Sequence, residues 1–199
     1  MVRGGGLGPA APGGTLGGSQ AGLRFQYRIG GGAERPLALS ARFYSPIRRR
    51  RGAEAAIGLD WQPVARLPVR VLAERRVALG QEGRSAFALT FHGGVDELRL
   101  PGGFKLEAYA QAGAVGARSR DLFADGSVRV GIPVGEMRLG GGMWAGAQPR
   151  AARVDAGPQA TLRLPALGAN LRISAEWRFR IAGEASPGSG PALTLGSDF

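Results

Sequence analysis

The stretch NLRISAEWRFRIAG, Asn170 to Gly183, alternates with a period of two. Leu171, Ile173, Ala175, Trp177, Phe179 and Ile181 share one parity, and Arg172, Ser174, Glu176, Arg178 and Arg180 share the other. Successive side chains of a strand point to opposite faces, so this segment is a strand with one apolar and one strongly charged face. Two architectures use such a strand. In a soluble protein the apolar face packs on a core. In an outer-membrane barrel it faces lipid and the charges line the lumen.

The same alternation recurs from Gln20 onward. QAGLRFQYRI (20–29) sets Leu23, Phe25 and Tyr27 against Arg24 and Arg28, and LALSARFY (37–44) sets Leu39 and Phe43 against Arg42. AEAAIGLDW (53–61) opposes Ile57, Leu59 and Trp61 to Glu54 and Asp60. VRVLAE (69–74) is less regular, with Leu72 on the polar side, whereas SAFALTFHG (85–93) opposes Phe87, Leu89 and Phe91 to Thr90 and His92. FKLEAYAQAGA (104–114) carries Phe104 on one face and Glu107 on the other. LFADGSVRVGI and EMRLGGGMWAGAQ, with Arg129 and Arg138, are weaker and glycine-rich. ARVDAGPQATLRL (152–164) places Asp155 and Arg163 together, and GPALTLGSDF closes the chain.

About eleven strand candidates result, most near the length that crosses a bilayer at a tilt, separated by breaks such as GQEG and AQPRA and by the connection DELRLPGG. No helical pattern intervenes, and short connections make successive strands antiparallel. The expectation is an all-β chain: an antiparallel up-and-down transmembrane β-barrel of roughly 10–12 strands over residues 19–199. A Gly/Pro-rich flexible arm over residues 1–18 precedes it.

The chain has 199 residues and a net charge of +11, and all but one of its 26 basic residues are arginine. That balance suits a polyanionic partner, such as lipid or lipopolysaccharide phosphate, although GC-rich codons also favour arginine. There is no cysteine, which excludes disulfides and thiolate metal sites. No apolar run is long enough for a transmembrane helix, and MVRGGGLGPAAPGG has no apolar core of a signal peptide.

Two features favour lipid over a soluble core. The apolar faces are rich in Ala and Gly, which would fill a core poorly, whereas a lipid-facing surface has no interlocking to satisfy. The opposite faces carry charge in nearly every strand. Arg24, Arg28, Arg42, Glu54, Asp60, Glu107, Arg129, Arg138, Asp155, Arg163, Arg172, Glu176 and Arg178 are expected to line an ion-paired lumen. With the C-terminus on the periplasmic side, Tyr27, Trp61, Phe91, Phe104 and Phe199 fall near periplasmic strand ends as an aromatic girdle. Arg48, Arg49, Arg50 and Arg51 then lie in an outer loop, where lipopolysaccharide phosphates accept guanidinium bonds. An even strand count requires one more strand before Gln20, or else a miscounted strand near Val69–Leu79 or Leu122–Ile132. Together with the missing signal peptide, this leads to the expectation of a misplaced start or a truncated chain, with the bacterial outer membrane as location.

Leu193, Leu195 and the terminal Phe199 share a face and resemble the C-terminal signal read by the barrel-assembly machinery, departing at Ser197. The phrases PLALSARFYSP, GAEAAIGLDWQP, LPVRVLAERR, GRSAFALTFHGGV and GGFKLEAYAQAGAVGARSRDLFADG resemble the C-terminal barrel of the bacteriophage adsorption protein A family over about residues 18–199. The resemblance implies an outer-membrane barrel. In that family the barrel follows a periplasmic helical-repeat region, and relatives of that layout export exopolysaccharide. No such repeat is present in this sequence. A polysaccharide or phage partner and a pore-like or surface-receptor role are therefore what the resemblance implies.

The chemistry available to an enzyme is sparse. His92 is the only histidine; Ser85 or Ser40 with an acid could complete a hydrolytic triad of an outer-membrane lipid-modifying enzyme, yet no GxSxG signature occurs. One histidine without cysteine or clustered carboxylates fails zinc spacing, so no metal or other cofactor is expected. The soluble alternative is a β-barrel or sandwich that binds a ligand or polyanion through the arginine run. No aromatics interleave that run, so no nucleic acid is expected.

Overall fold

A computed structural model of the protein describes residues 20–32, 34–46, 52–81, 85–116, 121–166, 169–186 and 188–198. The arm over 1–18, the Arg48–Arg51 run and Phe199 lie outside the described residues. The chain is all-β: β1 (Gln20–Gly30), β2 (Leu37–Pro46), β3 (Glu54–Trp61), β4 (Val69–Ala78), β5 (Ala86–Arg99), β6 (Lys105–Val115), β7 (Asp121–Val134), β8 (Met137–Gln148), β9 (Ala151–Ala166), β10 (Ala169–Ala182) and β11 (Gly190–Asp198). These eleven strands form one antiparallel sheet in sequence order. Among the described residues no ladder joins β1 to β11.

Each turn follows local chemistry. The two-residue turn at Gly135–Glu136 has Gly135 at φ 60°, where a side chain would be strained, and Gly31 at φ 75° opens the β1–β2 turn. The DELR segment departs from the expectation that it begins a connection. β5 runs on through Arg99 over a bulge between Val95 and Leu98, with Glu97 at φ 54°, and the chain reverses only at Pro101–Gly103. The bulge inserts an extra residue and re-aims its neighbour, here the Glu97 carboxylate.

The ladder is staggered. One lateral row reads Trp61, Val71, Phe91, Ala112, Ala124, Ala147, Ala152 from β3 to β9. The row begins at the last residue of β3 and finishes at the second residue of β9. It thus slants from one rim of the sheet toward the other, as rows do across tilted strands.

The sheet also curls. Arg172 on β10 lies 3.8 Å from Glu107 on β6, and Arg24 on β1 is within electrostatic reach of Tyr109 on the same β6. Side chains from both flanks of the sheet therefore converge over one face of β6. That enclosed face holds the buried residues, polar and apolar together: Ser40, Asp60, Glu74, Arg76, Thr90, Glu107, Thr161, Ser174 and Glu176, beside Leu72, Val115, Phe123 and Trp144. The opposite face exposes the large apolar side chains, among them Leu193 (69 %), Phe87 (66 %) and Trp177 (47 %).

Candidate functional site

The enclosed face is built from carboxylates that each gather several cations. Asp60 on β3 is fully buried. Arg70 Nε donates to its Oδ1 at 2.8 Å, Gln26 Nε2 to Oδ2 at 2.5 Å, and Arg24 Nη2 to Oδ2 at 3.3 Å. His92 Nε2 lies 3.3 Å from the same oxygen. One strand further, Glu74 receives a two-pronged pair from Arg42 at 2.9 and 2.5 Å and a third bond from Arg76 Nε at 2.8 Å. A carboxylate sealed from water costs several kcal/mol unless it is paired, and a planar guanidinium meets its two oxygens in a way an ammonium does not. This requirement accounts for arginine in almost every inward cationic position.

The largest knot sits around Glu97 and Glu107. Arg138 bonds both carboxylates, reaching Glu97 Oε1 at 2.6 Å. Arg163 also bonds both and donates to Glu107 Oε1 at 3.0 Å. Lys105 Nζ donates to Glu97 at 3.0 Å, and Arg129 and Arg172 each lie 3.8 Å from Glu107. Five cations thus surround two carboxylates and leave local positive charge. Arg163 keeps 44 % of its side chain exposed beside this knot.

Two aromatics organise the glycine-rich middle. Phe123 lies over Gly113, where an added Cβ would come within 2.8 Å of its ring. Trp144 likewise covers Gly142, and the Arg178 guanidinium stacks on Trp144 at 4.6 Å while bonding Glu176 through Nε and Nη2 at 2.8 and 2.6 Å. The glycines thus have a steric cause: Gly113 on β6 and Gly142 on β8 clear space for rings on the enclosed face. On β9, Arg153 bonds Asp155 at 2.6 Å.

Of the sequence-predicted lining, Arg24, Arg42, Asp60, Glu107, Arg129, Arg138, Asp155, Arg163, Arg172, Glu176 and Arg178 thus occupy this one face in ion pairs. Glu54 is half-buried at the start of β3, and Arg28 is exposed near the end of β1. Arg76, Glu97, Phe123 and Trp144 escaped sequence reasoning. Glu97 sits in the misread DELR segment, and the rings occupy strands with blurred alternation.

No family model, curated protein or solved structure matches the chain.

The remaining sequence-predicted residues that are described lie on the outer face. Tyr27, Trp61, Phe91 and Phe104 are all exposed. Tyr27 and Trp61 lie near strand ends, and Phe104 immediately precedes β6. Phe91 is a correction: because β5 continues to Arg99, it falls mid-strand rather than at an end. Leu193 and Leu195 are exposed on β11. The triad reading finds no geometry among the described residues: the Ser85 hydroxyl accepts from the Ala78 amide and the Ser40 hydroxyl from Arg24, neither bonding His92.

The outer face carries the decisive asymmetry. Along its positions in all eleven strands, apart from the Asp96–Glu97 bulge, the described residues include a single charged side chain, Arg75. The other outer-face positions hold aliphatic, aromatic, Met, Pro or Gly residues, apart from Ser45 near the end of β2 and Ser197 near the end of β11.

Proposed function

We propose that this chain is an outer-membrane β-barrel: its sheet closes on itself, its apolar face meets lipid, and its ion-paired face lines a narrow lumen. The observation that carries the reading is the outer face itself, long apolar side chains broken by one arginine, opposite an enclosed face dense in charge. Water cannot solvate that outer face favourably over so large an area, whereas hydrocarbon can. The slant of the ladder and the convergence of β1 and β10 over β6 support closure.

The role is pore-like or that of a surface receptor, with the outer-membrane lipid, lipopolysaccharide and the barrel-assembly machinery as partners. The resemblance to the bacteriophage adsorption protein A family adds polysaccharide export or phage adsorption as the specific form. Arginine side chains fill much of the interior, so the lumen suits small or threaded solutes rather than bulk diffusion.

The three tryptophans provide the test, since the sequence has no others. Trp61 and Trp177 are outward and Trp144 is enclosed, 8 % exposed. After reconstitution, brominated lipid is expected to quench a variant retaining only Trp177 and to spare one retaining only Trp144, and the protein's gel mobility in detergent should change on heating. A native chain that stays monomeric in buffer without detergent, with Trp177 beyond the reach of lipid, overturns the proposal.

A further inference from the structure

Arg75 is the exception on an otherwise uncharged wall, and its surroundings are organised. Three successive rows cross β3, β4 and β5 on the outer face: Ile57–Arg75–Phe87, Leu59–Ala73–Leu89 and Trp61–Val71–Phe91. In the second row a small residue lies between two large ones, and in the third Val71 is flanked by two rings. The flanking strands are two spacings apart, about 10 Å, so β4 forms the floor of a trough between side-chain walls. An open groove of about 650 Å³ occupies this place, lined by Ile57, Leu59, Ala73, Phe87, Leu89 and Ala114, with Arg75 at one end.

The charged end is held in place. The Arg75 guanidinium lies over the Phe87 ring, 4.8 Å from its centroid. Stacking on the ring face holds the planar group and leaves its N–H edges free to donate. No acidic side chain contacts it among the described residues. Arg75 is three residues from the end of β4, and Phe87 is the second residue of β5, so the cation marks one rim of the apolar wall. That rim is opposite the one where the chain ends after β11.

We infer that this groove seats one phosphorylated lipid of the surrounding leaflet, its acyl chain along Ala73 and its phosphate on Arg75. The inference rests on the outer-membrane reading above. With the C-terminal rim periplasmic, the leaflet at Arg75 is the outer one, and the occupant is the phosphate-bearing glycolipid of lipopolysaccharide. Charge complementarity selects it: one guanidinium with no acidic contact among the described residues, at the end of an open apolar groove. A zwitterionic lipid would bring its own cation against Arg75, and a free phosphate would have no use for the groove.

The test uses the full chain, refolded into phosphatidylcholine vesicles with and without purified lipopolysaccharide, then extracted gently and examined by native mass spectrometry for retained lipid. Wild type is expected to retain lipopolysaccharide. Arg75→Gln, which keeps most of the stem over Phe87, should lower retention about tenfold, as for loss of a charge-assisted hydrogen bond. Ala73→Leu fills the floor, leaves the charge, and should lower retention similarly. Equal retention by wild type and Arg75→Gln, or equal retention of phosphatidylcholine and lipopolysaccharide, overturns the inference. Gel mobility of the same samples before and after heating separates the two failures: a chain that never enters the vesicles sinks the membrane reading, whereas an inserted chain without selective retention sinks only the lipid site.

Discussion

Arg163 Nη2 donates to Glu107 Oε1 at 3.0 Å, although β7 and β8 lie between their strands. The bond bridges the concavity of a curled sheet, and Glu107 serves as its anchor for Arg129, Arg138 and Arg172 as well. Removing the anchor leaves several cations facing one another in a space poor in water.

Glu107→Gln is therefore expected to destabilise the protein by about 3 kcal/mol, the usual cost of breaking a buried ion pair from one side. Urea unfolding in detergent micelles, followed by tryptophan fluorescence, measures it. A change below a few tenths of a kcal/mol would mean that the knot is fully solvated.

The two faces should answer oppositely to added volume. Ala112 is exposed on the outer face of β6, whereas Ala88 packs with Ala86, Val115 and Phe123 inside. Ala112→Leu should be neutral or stabilising in lipid, since no neighbour is displaced there. Ala88→Leu should cost about 1–3 kcal/mol through overpacking. Paired unfolding curves compare them, and a penalty at Ala112 alone would place the dry core on the wrong side.

Val128 stands mid-strand on the outer face of β7, 47 % exposed. Placing an arginine there should cost about 2–4 kcal/mol in a bilayer, the value for a cation at the midplane. In a protein surrounded by water the same change would be close to neutral. Folding titrations in vesicles distinguish the two.

Gly113→Val should be poorly tolerated, because a Cβ meets both the Phe123 ring and the Leu89 carbonyl. Loss of about 2 kcal/mol is expected from such crowding. The double variant Gly113→Val/Phe123→Ala should recover only part of this, since the backbone contact persists; full recovery would assign the whole clash to the ring.

Five cations around Glu97 and Glu107 leave that part of the enclosed face positive. Single-channel currents across a planar bilayer under a KCl gradient are expected to show anion preference. Arg163→Glu and Arg172→Glu should each reduce it, with high salt diminishing the difference by screening. Cation preference in wild type would contradict an electropositive lumen.

The period-two alternation, by itself, determined the all-β class, a range of 10–12 strands, their antiparallel order and the parity of nearly every side chain. Each of these is local: a strand must turn Trp177 and Arg178 to opposite sides whatever surrounds it. The turn-rich breaks marked most reversals for the same reason, and failed at DELR, where a bulge continues a strand through residues that look like a loop. Which face is enclosed was not a local matter, since a soluble sandwich and a lipid-facing sheet share one alternating pattern. The curl of the sheet decided it, bringing Arg24 and Arg172 from distant strands over β6 and leaving Trp177, Phe179 and Leu195 on the outside. Phe123 and Trp144 are interior rings on the same face, Phe123 over Gly113 of the neighbouring strand and Trp144 over Gly142 of its own. Pairing over long sequence separation lies beyond any single stretch of sequence, so the ion-pair knots and the Arg75 trough became visible only once the strands were assembled.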